Sequence, residues 1–235
     1  MRLLAGTSGY SYKEWKGSFY PEDLPAKQML SYYSSRLPAV EINNTFYRLP
    51  RESVLEGWAE ATEEGFLFAI KASRRITHFR RLRGVEELLQ YLLDTVQVLG
   101  AKLGPLLFQL PPNFKRDDEA LGGFLGLLPP RCRAAFEFRH DSWLDEEVYG
   151  LLAGHGNAAL VASDRSGADE PPVVATADFG YLRLRRTDYR PADLEPWVAR
   201  VCEQPWSEAF VFFKHEETAG GPELADRFAG LFEGR

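Results

Sequence analysis

Short apolar runs, each the length of a buried β-strand, recur eight times along the chain. Their short length and their β-branched, aromatic and leucine side chains favour strands over helices. The predicted strands are Leu3–Thr7, Ala39–Ile42, Phe66–Ile70, Leu106–Leu110, Ala134–Phe138, Ala158–Ala162, Tyr181–Leu184 and Ala209–Phe213.

Segments with helical periodicity separate most of these runs. In the clearest, apolar residues recur at i, i+3, i+4 and i+7 from Val85 to Leu99 on an otherwise polar stretch. Strands that alternate with helices indicate parallel β-α-β units. Eight such units predict an α/β fold, a single (β/α)8 TIM-barrel-like domain over residues 1–235. The other predicted helices are Lys27–Arg36, Ser53–Glu63, Glu119–Leu128, Asp145–Ala153, Asp193–Glu203 and Glu223–Leu231.

One connection breaks this alternation. Residues 164–180 leave no room for an ordinary helix between the sixth and seventh strands, because Pro171 and Pro172 interrupt them. We therefore predict that the sixth helix is missing or reduced to a turn.

Composition narrows the class of protein. Hydrophobic residues make up 45% of the chain and charged residues 26%, as in ordinary globular proteins. The 28 basic and 34 acidic residues give a formal charge of −6, which argues against coating nucleic acid or a membrane by bulk charge. The chain has no signal-peptide pattern, no apolar run of about 18 residues, and two distant cysteines, Cys132 and Cys202. We therefore expect a reduced cytoplasmic protein without membrane contact.

Polar side chains follow the predicted strands at their carboxyl ends. Because side chains alternate faces along a strand, parity predicts which of them converge on the mouth of a barrel, where barrel enzymes carry their sites. On the sixth strand, parity with Leu160 and Ala162 selects Asp164. The predicted ring is Ser8, Glu41 with Asn43, Lys71, Gln109, Glu137 with Arg139, Asp164, Arg183 with Arg185, and Lys214.

This ring carries a surplus of positive charge in an acidic chain. Five cations and three carboxylates give 5 − 3 = +2. The surplus predicts a small ligand with a phosphate or carboxylate group. The alternative is a closed lattice of ion pairs that only plugs the barrel. The cations are Lys71, Arg139, Arg183, Arg185 and Lys214, and the carboxylates are Glu41, Glu137 and Asp164.

Three ring residues are candidates for the chemistry. Glu41 and Glu137 stand three strands apart and are predicted to face each other, as a general acid and base would. Lys71 fits Schiff-base chemistry, stabilisation of negative charge or a salt bridge to a glutamate. For each of the three, an orienting ion pair is the alternative. The histidines lack the spacing of a metal site, so we expect no metal. We also expect no cofactor. If the protein is an enzyme, we expect a hydrolase or lyase without a tightly bound metal.

A second feature is basic and aromatic. The stretch Arg74–Arg83 carries five arginines in ten residues, with Phe79 among them. It is either a solvated loop or a surface that contacts a phosphate backbone and stacks on bases. The rival functional hypothesis is therefore a nucleic-acid-binding protein without catalysis. Oligomeric state has no signal in the sequence.

Several motifs together make the chain resemble a known family. It resembles the YecE-like family, domain of unknown function 72 (DUF72), over about three-fifths of its length. The resemblance implies a TIM-barrel-like fold and supplies no reaction. The motifs are Gly6–Trp15, Phe19–Pro21, Val40–Arg48, Phe68–Ala72, Ile76–His78, Leu103–Pro112 and Phe136–Trp143. Matching residues at the first five strands are Glu41, Asn43, Lys71, His78, Gln109, Glu137, Arg139, His140 and Trp143.

The last two strands depart from that family pattern. Where the family usually reads Arg-Leu-His-Gly after the seventh strand, this chain has Arg185 in place of the histidine. After the eighth strand, Lys214 and His215 replace small polar residues. Both changes make this mouth more basic.

Together these observations predict roles at the mouth. Glu41 and Glu137 are expected to transfer protons, and Lys71 to stabilise developing negative charge. Arg139, Arg183, Arg185 and Lys214 are expected to bind the anion. The residues expected to contact or orient the ligand are Ser8, Asn43, His78, Gln109, His140, Trp143 and Asp164.

Overall fold

The computed structural model describes residues 1–164, 171–186, 189–214 and 220–234. Eight parallel strands close into a barrel in chain order, with β1 paired to both β2 and β8. All eight predicted strands are present, with ends that differ by at most a few residues. The strands are β1 Arg2–Ser8, β2 Ala39–Ile42, β3 Leu67–Lys71, β4 Leu103–Gln109, β5 Ala134–Glu137, β6 Ala158–Ser163, β7 Phe179–Leu184 and β8 Glu208–Phe213.

Helices surround the barrel. No helix follows β6 among the described residues 171–178, in agreement with the predicted gap, and residues 165–170 of that connection lie outside the described part. None of the described helices has the length and apolar character needed to cross a membrane. The helices are α1 Met29–Ser34, α2 Glu52–Glu60, α3 Glu86–Val96, α4 Asp118–Leu125, α5 Glu146–His155, α6 Pro191–Cys202 and α7 Gly220–Glu233.

Two apolar clusters follow from the alternation of side chains along the strands. One fills the inside of the barrel, and the other lies between the barrel wall and the helices. Apolar side chains therefore fill the middle of the barrel, and the polar side chains lie at the carboxyl ends of the strands. The inner cluster includes Leu4, Ala39, Leu67, Ala69, Leu107, Ala135, Ala159, Val161, Phe179, Tyr181, Phe210 and Phe212.

The amino end of the barrel is closed by an ion-pair group. Glu208 accepts from Arg133 at 2.5 Å and from Arg2 at 3.3 Å. The Arg133 guanidinium also lies over the Phe210 ring, 5.3 Å from its centre. This ion-pair group therefore links β1, β8 and the residue before β5 at the amino end of the barrel.

The sixth strand corrects one prediction. Its inner residues are Ala159 and Val161, whereas Leu160 and Ala162 belong to the outer cluster. The parity used to place Asp164 in the ring was therefore wrong by one residue. The inward position at the end of β6 belongs to Ser163, whose hydroxyl is buried.

Candidate functional site at the barrel mouth

Arg183 lies at the centre of the mouth, where the seventh strand points its side chain across the barrel. Only 1% of the side chain is exposed, and it donates to both predicted catalytic glutamates. Its Nε and Nη2 atoms each lie 2.8 Å from an oxygen of Glu41, and Nη1 donates to Glu137. Such a fork-to-carboxylate pair is strong and geometrically specific. Arg183 therefore has no free face for a ligand, contrary to its predicted role in anion binding.

Glu41 is the most heavily bonded carboxylate of the mouth. Besides the two bonds from Arg183, it accepts from Ser8 at 2.7 Å, Asn43 at 3.0 Å and Tyr181 at 2.7 Å. Burial alone would raise the pKa of Glu41, but the charge and hydrogen bonds of Arg183, with Ser8 and Tyr181, lower it to about 2.

The bonding of Glu41 decides its role and those of Ser8 and Asn43. A carboxylate has about four lone-pair sites, and those of Glu41 are filled. It therefore has no capacity to accept a proton from a substrate, contrary to the predicted acid-base role, and it acts as the anchor of Arg183. Ser8 and Asn43, predicted to orient a ligand, instead orient Glu41.

Glu137 differs from Glu41 in one atom. Its Oε2 accepts from Arg183, whereas Oε1 has no hydrogen-bond partner among the described residues and lies 3.5 Å from both Arg139 Nε and Arg185 Nη1. Burial raises its pKa, and Arg183, Arg185 and Arg139 more than offset that effect, so the pKa lies below its usual value. Oε1 is thus an ionised oxygen with bonding capacity left.

Lys71 ends β3 beside this network. Its Nζ lies 4.4 Å from the centre of the Phe46 ring, and within the described residues it makes no hydrogen bond or ion pair. Burial first, and then the charge of Arg183, lower the pKa of Lys71 from 10.5 to about 8, although Glu41 and Glu137 act in the opposite direction. The side chain is half-buried, so solvent reaches the mouth here.

His78 stands next to Lys71 on a π-helical turn, Arg75–Phe79, that follows β3. Its Nδ1 lies 2.9 Å from the Thr77 hydroxyl. Burial, Lys71 and Arg139 lower its pKa, so the ring is neutral near pH 7. The turn is followed by two non-glycine residues with left-handed backbone, Arg81 at φ 49° and Leu82 at φ 69°. Such strain is concentrated at functional sites in proteins generally.

The remaining cations sit at the rim. Arg139 and Arg185 are 26% and 19% exposed and flank Glu137. Arg185 Nη1 is buried and has no hydrogen bond to the part of the chain that the structure describes, and the pKa of Arg185 is lowered by burial and by Arg183. Lys214 is half-buried after β8, and Gln109 is buried at the end of β4. Arg139, Arg185, Lys71 and Lys214 are therefore the partly exposed cations of the mouth, whereas Arg183 is buried.

Three predicted ligand contacts have other partners. Asp164 accepts from the backbone N–H of Arg185 and from the Tyr189 hydroxyl, so it fixes the segment after β7. His140 uses Nδ1 to accept from the Ser142 N–H. Trp143 is fully buried, donates to the Phe114 carbonyl at 2.7 Å and therefore belongs to the core. His215 lies outside the described residues.

Two contributors were missed by sequence reasoning. Tyr181 shares the inward face of β7 with Arg183, so parity could have indicated its bond to Glu41. Phe46 lies in the connection between β2 and β3, where strand parity makes no prediction. Its ring lies under Lys71 because the neighbouring Thr45 hydroxyl is shared between the carbonyls of Ile42 and Lys71, at 3.1 and 2.7 Å. This contact joins the ends of β2 and β3.

No three His, Cys, Asp or Glu side chains converge in the described part of the chain in a way that could hold a metal ion. The buried carboxylates of the mouth are engaged by arginines instead. The expectation of no metal and no cofactor stays a prediction.

A closed eight-stranded parallel barrel with a buried Glu–Arg–Glu network at its carboxyl-end mouth defines a TIM-barrel-like protein of the α/β class. The chain belongs to the family described as protein of unknown function DUF72, whose family model matches residues 4–235. The predicted fold and the predicted family are thereby confirmed.

Curated relatives carry names without an activity. UPF0759 protein YunF of Bacillus subtilis (strain 168) is 30% identical over 213 residues, 85% of this chain and 75% of YunF. UPF0759 protein YecE of Escherichia coli (strain K12) is 34% identical over 112 residues, 47% of this chain and 41% of YecE. The chain thus spans less than half the length of YecE in that match.

Solved structures agree on the fold. A DUF72 family protein from Thermotoga maritima MSB8 superposes with a TM-score of 0.83 at 26% identity, covering 100% of this chain and 98% of the other. A DUF72 family protein from Enterococcus faecalis V583 gives a TM-score of 0.84 at 18% identity, with 98% and 95% covered. The second likeness shows the fold alone.

Proposed function

We propose that this protein is an enzyme that binds a small anionic, phosphate-bearing substrate at the carboxyl-end mouth of its barrel. One observation carries the proposal: Lys71, whose Nζ atom makes no hydrogen bond or ion pair with the described residues, shares the mouth with two partly exposed arginines, Arg139 and Arg185, that each have a nitrogen 3.5 Å from Oε1 of Glu137. Carboxyl-end mouths are where barrel enzymes carry their sites. A plugged mouth would instead pair each of its charges fully.

The charge balance supports an anionic substrate. In the described network the three arginines Arg139, Arg183 and Arg185 outnumber the two carboxylates with which they pair, Glu41 and Glu137. Guanidinium groups bind phosphate and carboxylate in a planar fork. We assign the anion to Arg139 and Arg185, and proton transfer to Glu137 through Oε1, with Lys71 acting on the reacting part of the substrate. Proton transfer by Glu41 is not part of this proposal.

Thermal unfolding with and without candidate anions tests this proposal. Inorganic phosphate, sugar phosphates and short carboxylic acids are suitable probes. A probe at about 100 times its Kd adds roughly 2.7 kcal/mol to the free energy of unfolding, which raises the Tm by about 5–10 °C for a chain of this length.

Two single-charge variants on either side of β5 make the test specific. Arg139→Ala removes a cation two residues after the strand, and Arg131→Ala removes an exposed one three residues before it, at the other end of the barrel. We expect the Tm shift to be lost in Arg139→Ala and kept in Arg131→Ala. Equal loss in both, or no shift with any probe, would contradict the proposal and favour a plugged mouth.

A second candidate function, nucleic-acid binding without catalysis, rests on a different surface. The Arg74 guanidinium lies between two exposed rings, 5.4 Å from the centre of Tyr47 and 5.2 Å from that of Phe79. Beside it, a groove of about 760 Å³ is lined by Arg48, Arg51 and other residues. Exposed aromatic rings beside arginines suit stacking on unpaired bases.

Salt separates the two candidates. Binding of a labelled single-stranded oligonucleotide, followed by anisotropy, should weaken steeply between about 50 and 200 mM salt if the backbone is contacted, and should fall in Phe79→Ala. Small-anion stabilisation at the mouth should survive Phe79→Ala. Oligonucleotide binding that Phe79→Ala leaves unchanged would remove this candidate.

A further inference from the structure

Two half-buried lysines, Lys71 and Lys102, differ in the hydrogen bonds of their Nζ atoms. The Nζ atom of Lys102 donates to the carbonyls of Ala59 and Thr62, both at 2.6 Å, and to the Thr62 hydroxyl at 3.0 Å. The Nζ atom of Lys71 makes no hydrogen bond or ion pair with the described residues and lies against an aromatic ring. The Lys102 nitrogen is thus engaged by three acceptors, whereas the Lys71 nitrogen is left for another partner.

The charged groups around Lys71 come from several elements. Glu41 on β2 and Glu137 on β5 favour its protonated form, while Arg183 and Arg185 of the β7 end disfavour it. His78, on the π-helical turn, is neutral near pH 7 and adds no positive charge. Together with burial, these groups place the pKa at about 8. A lysine that is desolvated beside other cations is the usual form of an amine nucleophile.

The rim arginines give the nitrogen a substrate to meet. Glu137 makes ion pairs with both Arg139 and Arg185, and its charge also acts on Lys71, so the anion site and the amine share one mouth. A ligand whose anionic group is held by the arginines would bring its neighbouring atoms to the Nζ atom. Binding of this kind turns an encounter of two molecules into a positioned reaction.

We propose that Lys71 forms an imine with the carbonyl carbon of a substrate whose carboxylate or phosphate group is held by Arg139 and Arg185. This inference rests on the proposed function and narrows its substrate class to anionic aldehydes and ketones, including 2-oxo acids and phosphorylated sugars. The chemistry would be of the lyase type, since an imine withdraws electrons from the neighbouring bonds.

The step is balanced without an outside reagent. The neutral Nζ atom adds to the carbonyl carbon, so that a C–N bond forms and the carbonyl π electrons move to oxygen. The two amine protons then leave with that oxygen as one water molecule, and the C=N bond remains. Glu137 Oε1 is the ionised oxygen beside the site that can pass a proton between nitrogen and oxygen during this exchange.

Reductive trapping tests the imine directly. The full chain is incubated with pyruvate, as a carboxylate probe, or with dihydroxyacetone phosphate, as a phosphate probe, and then treated with sodium borohydride. Hydride adds to the imine carbon and nitrogen takes a proton from water, which leaves a stable secondary amine. Peptide mass spectrometry then locates the adduct.

We expect the adduct at Lys71 with at least one probe. At pH 7 a lysine of pKa about 8 has about 300-fold more neutral amine than one at 10.5. The yield at Lys71 should therefore exceed that at Lys102 or at the exposed Lys115 by about tenfold or more, and its rate should rise with pH to a plateau above about 8. Whichever probe reacts identifies the anionic group.

Two results would overturn the inference. One is equal adduct on all lysines, and the other is no adduct at Lys71 at pH 8. Because the site of reaction is mapped in the unaltered chain, a variant that fails to fold does not affect this test; Lys71→Arg, which keeps the charge, should lose the adduct. Stabilisation by anions without trapping would contradict imine formation alone, whereas the absence of both would contradict the proposed function as well.

Discussion

At the scale of single residues, the mouth is organised around one buried guanidinium. Arg183 donates two of the five hydrogen bonds that Glu41 accepts and one to Glu137. The two glutamates differ because Oε1 of Glu137 has no hydrogen-bond partner among the described residues. The two carboxylates predicted to act as general acid and general base therefore differ in bonding. Breaking a buried ion pair by removing one partner costs about 3–5 kcal/mol, since the other charge is left uncompensated.

Glu41→Gln should lower the free energy of unfolding by about 3–5 kcal/mol at pH 7, as measured by urea denaturation. The folded pKa of Glu41, about 2, lies below its ordinary value of 4.5. Its contribution is therefore present above pH about 4.5 and is lost as the pH falls towards 2, so the variant should have a shallower acid limb in a plot of Tm against pH.

The control for that variant is Glu119→Gln. Glu119 pairs with Arg83 at the surface, and its side chain is 86% exposed. Its replacement should change the free energy of unfolding by less than about 1 kcal/mol. Equal effects of the two substitutions would mean that the Glu41–Arg183 contact contributes nothing beyond a surface pair.

Lys71→Met should raise the Tm at pH 7. The folded pKa of Lys71, about 8, lies below its ordinary 10.5, so the unfolded chain binds the proton more tightly. The wild-type protein therefore carries the cost of a buried charge below pH 8 and recovers it between about 8 and 10.5, whereas the variant does not. The difference in Tm should shrink as the pH approaches 10.

Lys102→Met is the matched comparison, because it removes an ammonium group that makes three hydrogen bonds. It should lower the Tm at pH 7, since the part-buried acceptors of Ala59 and Thr62 lose their donor. A lower Tm for Lys71→Met at pH 7 would show that the glutamates stabilise the Lys71 charge more than burial and the arginines disfavour it.

At the scale of elements, strand positions followed from the apolar pattern, and helix positions from its periodicity. All eight strands formed where predicted, because each needs a run of apolar side chains to fill both faces of a buried wall. The sixth strand was the exception in phase: apolar residues cover both faces of Ala158–Ser163, so the sequence has no alternation to show which face is inner. The placement of Asp164 failed for that reason.

Two glycines provide a test of packing between elements. A Cβ atom on Gly180, in β7, would lie 2.3 Å from the Trp206 ring, whereas one on Gly150, in α5, would meet nothing within 4 Å. Gly180→Ala should therefore destabilise the protein by about 1–3 kcal/mol through overpacking, and Gly150→Ala should stabilise it by about 0.5–1 kcal/mol. Denaturant unfolding of both variants measures this, and the same sign in both would contradict the geometry.

At the scale of the whole molecule, the two ends of the barrel carry different groups of charged side chains. The amino end is closed by Glu208 with Arg2 and Arg133, and the carboxyl end carries the rim cations. In barrel proteins generally, the carboxyl-end face supports function and the opposite face supports stability.

Glu208→Gln should therefore lower stability without changing the response to ligands. Its carboxylate joins Arg2 of β1 to Arg133 before β5, and both partners are partly exposed, so we expect a loss of about 1 kcal/mol. Anion-induced Tm shifts and trapping at Lys71 should match those of the wild type. A loss of either response in this variant would mean that the two ends are coupled.

The sequence by itself determined the barrel, its strand order and the charge at its mouth, because alternation and apolar content are local properties that each segment carries alone. It also placed Glu41, Lys71, Glu137 and Arg183 on one inner face. Only the tertiary structure decided how these charges pair. Strand parity predicts which side chains share a mouth. Other features depend on contacts between segments far apart in the chain: the reach of the Arg183 side chain across the barrel, the Phe46 ring under Lys71 and the burial of Trp143.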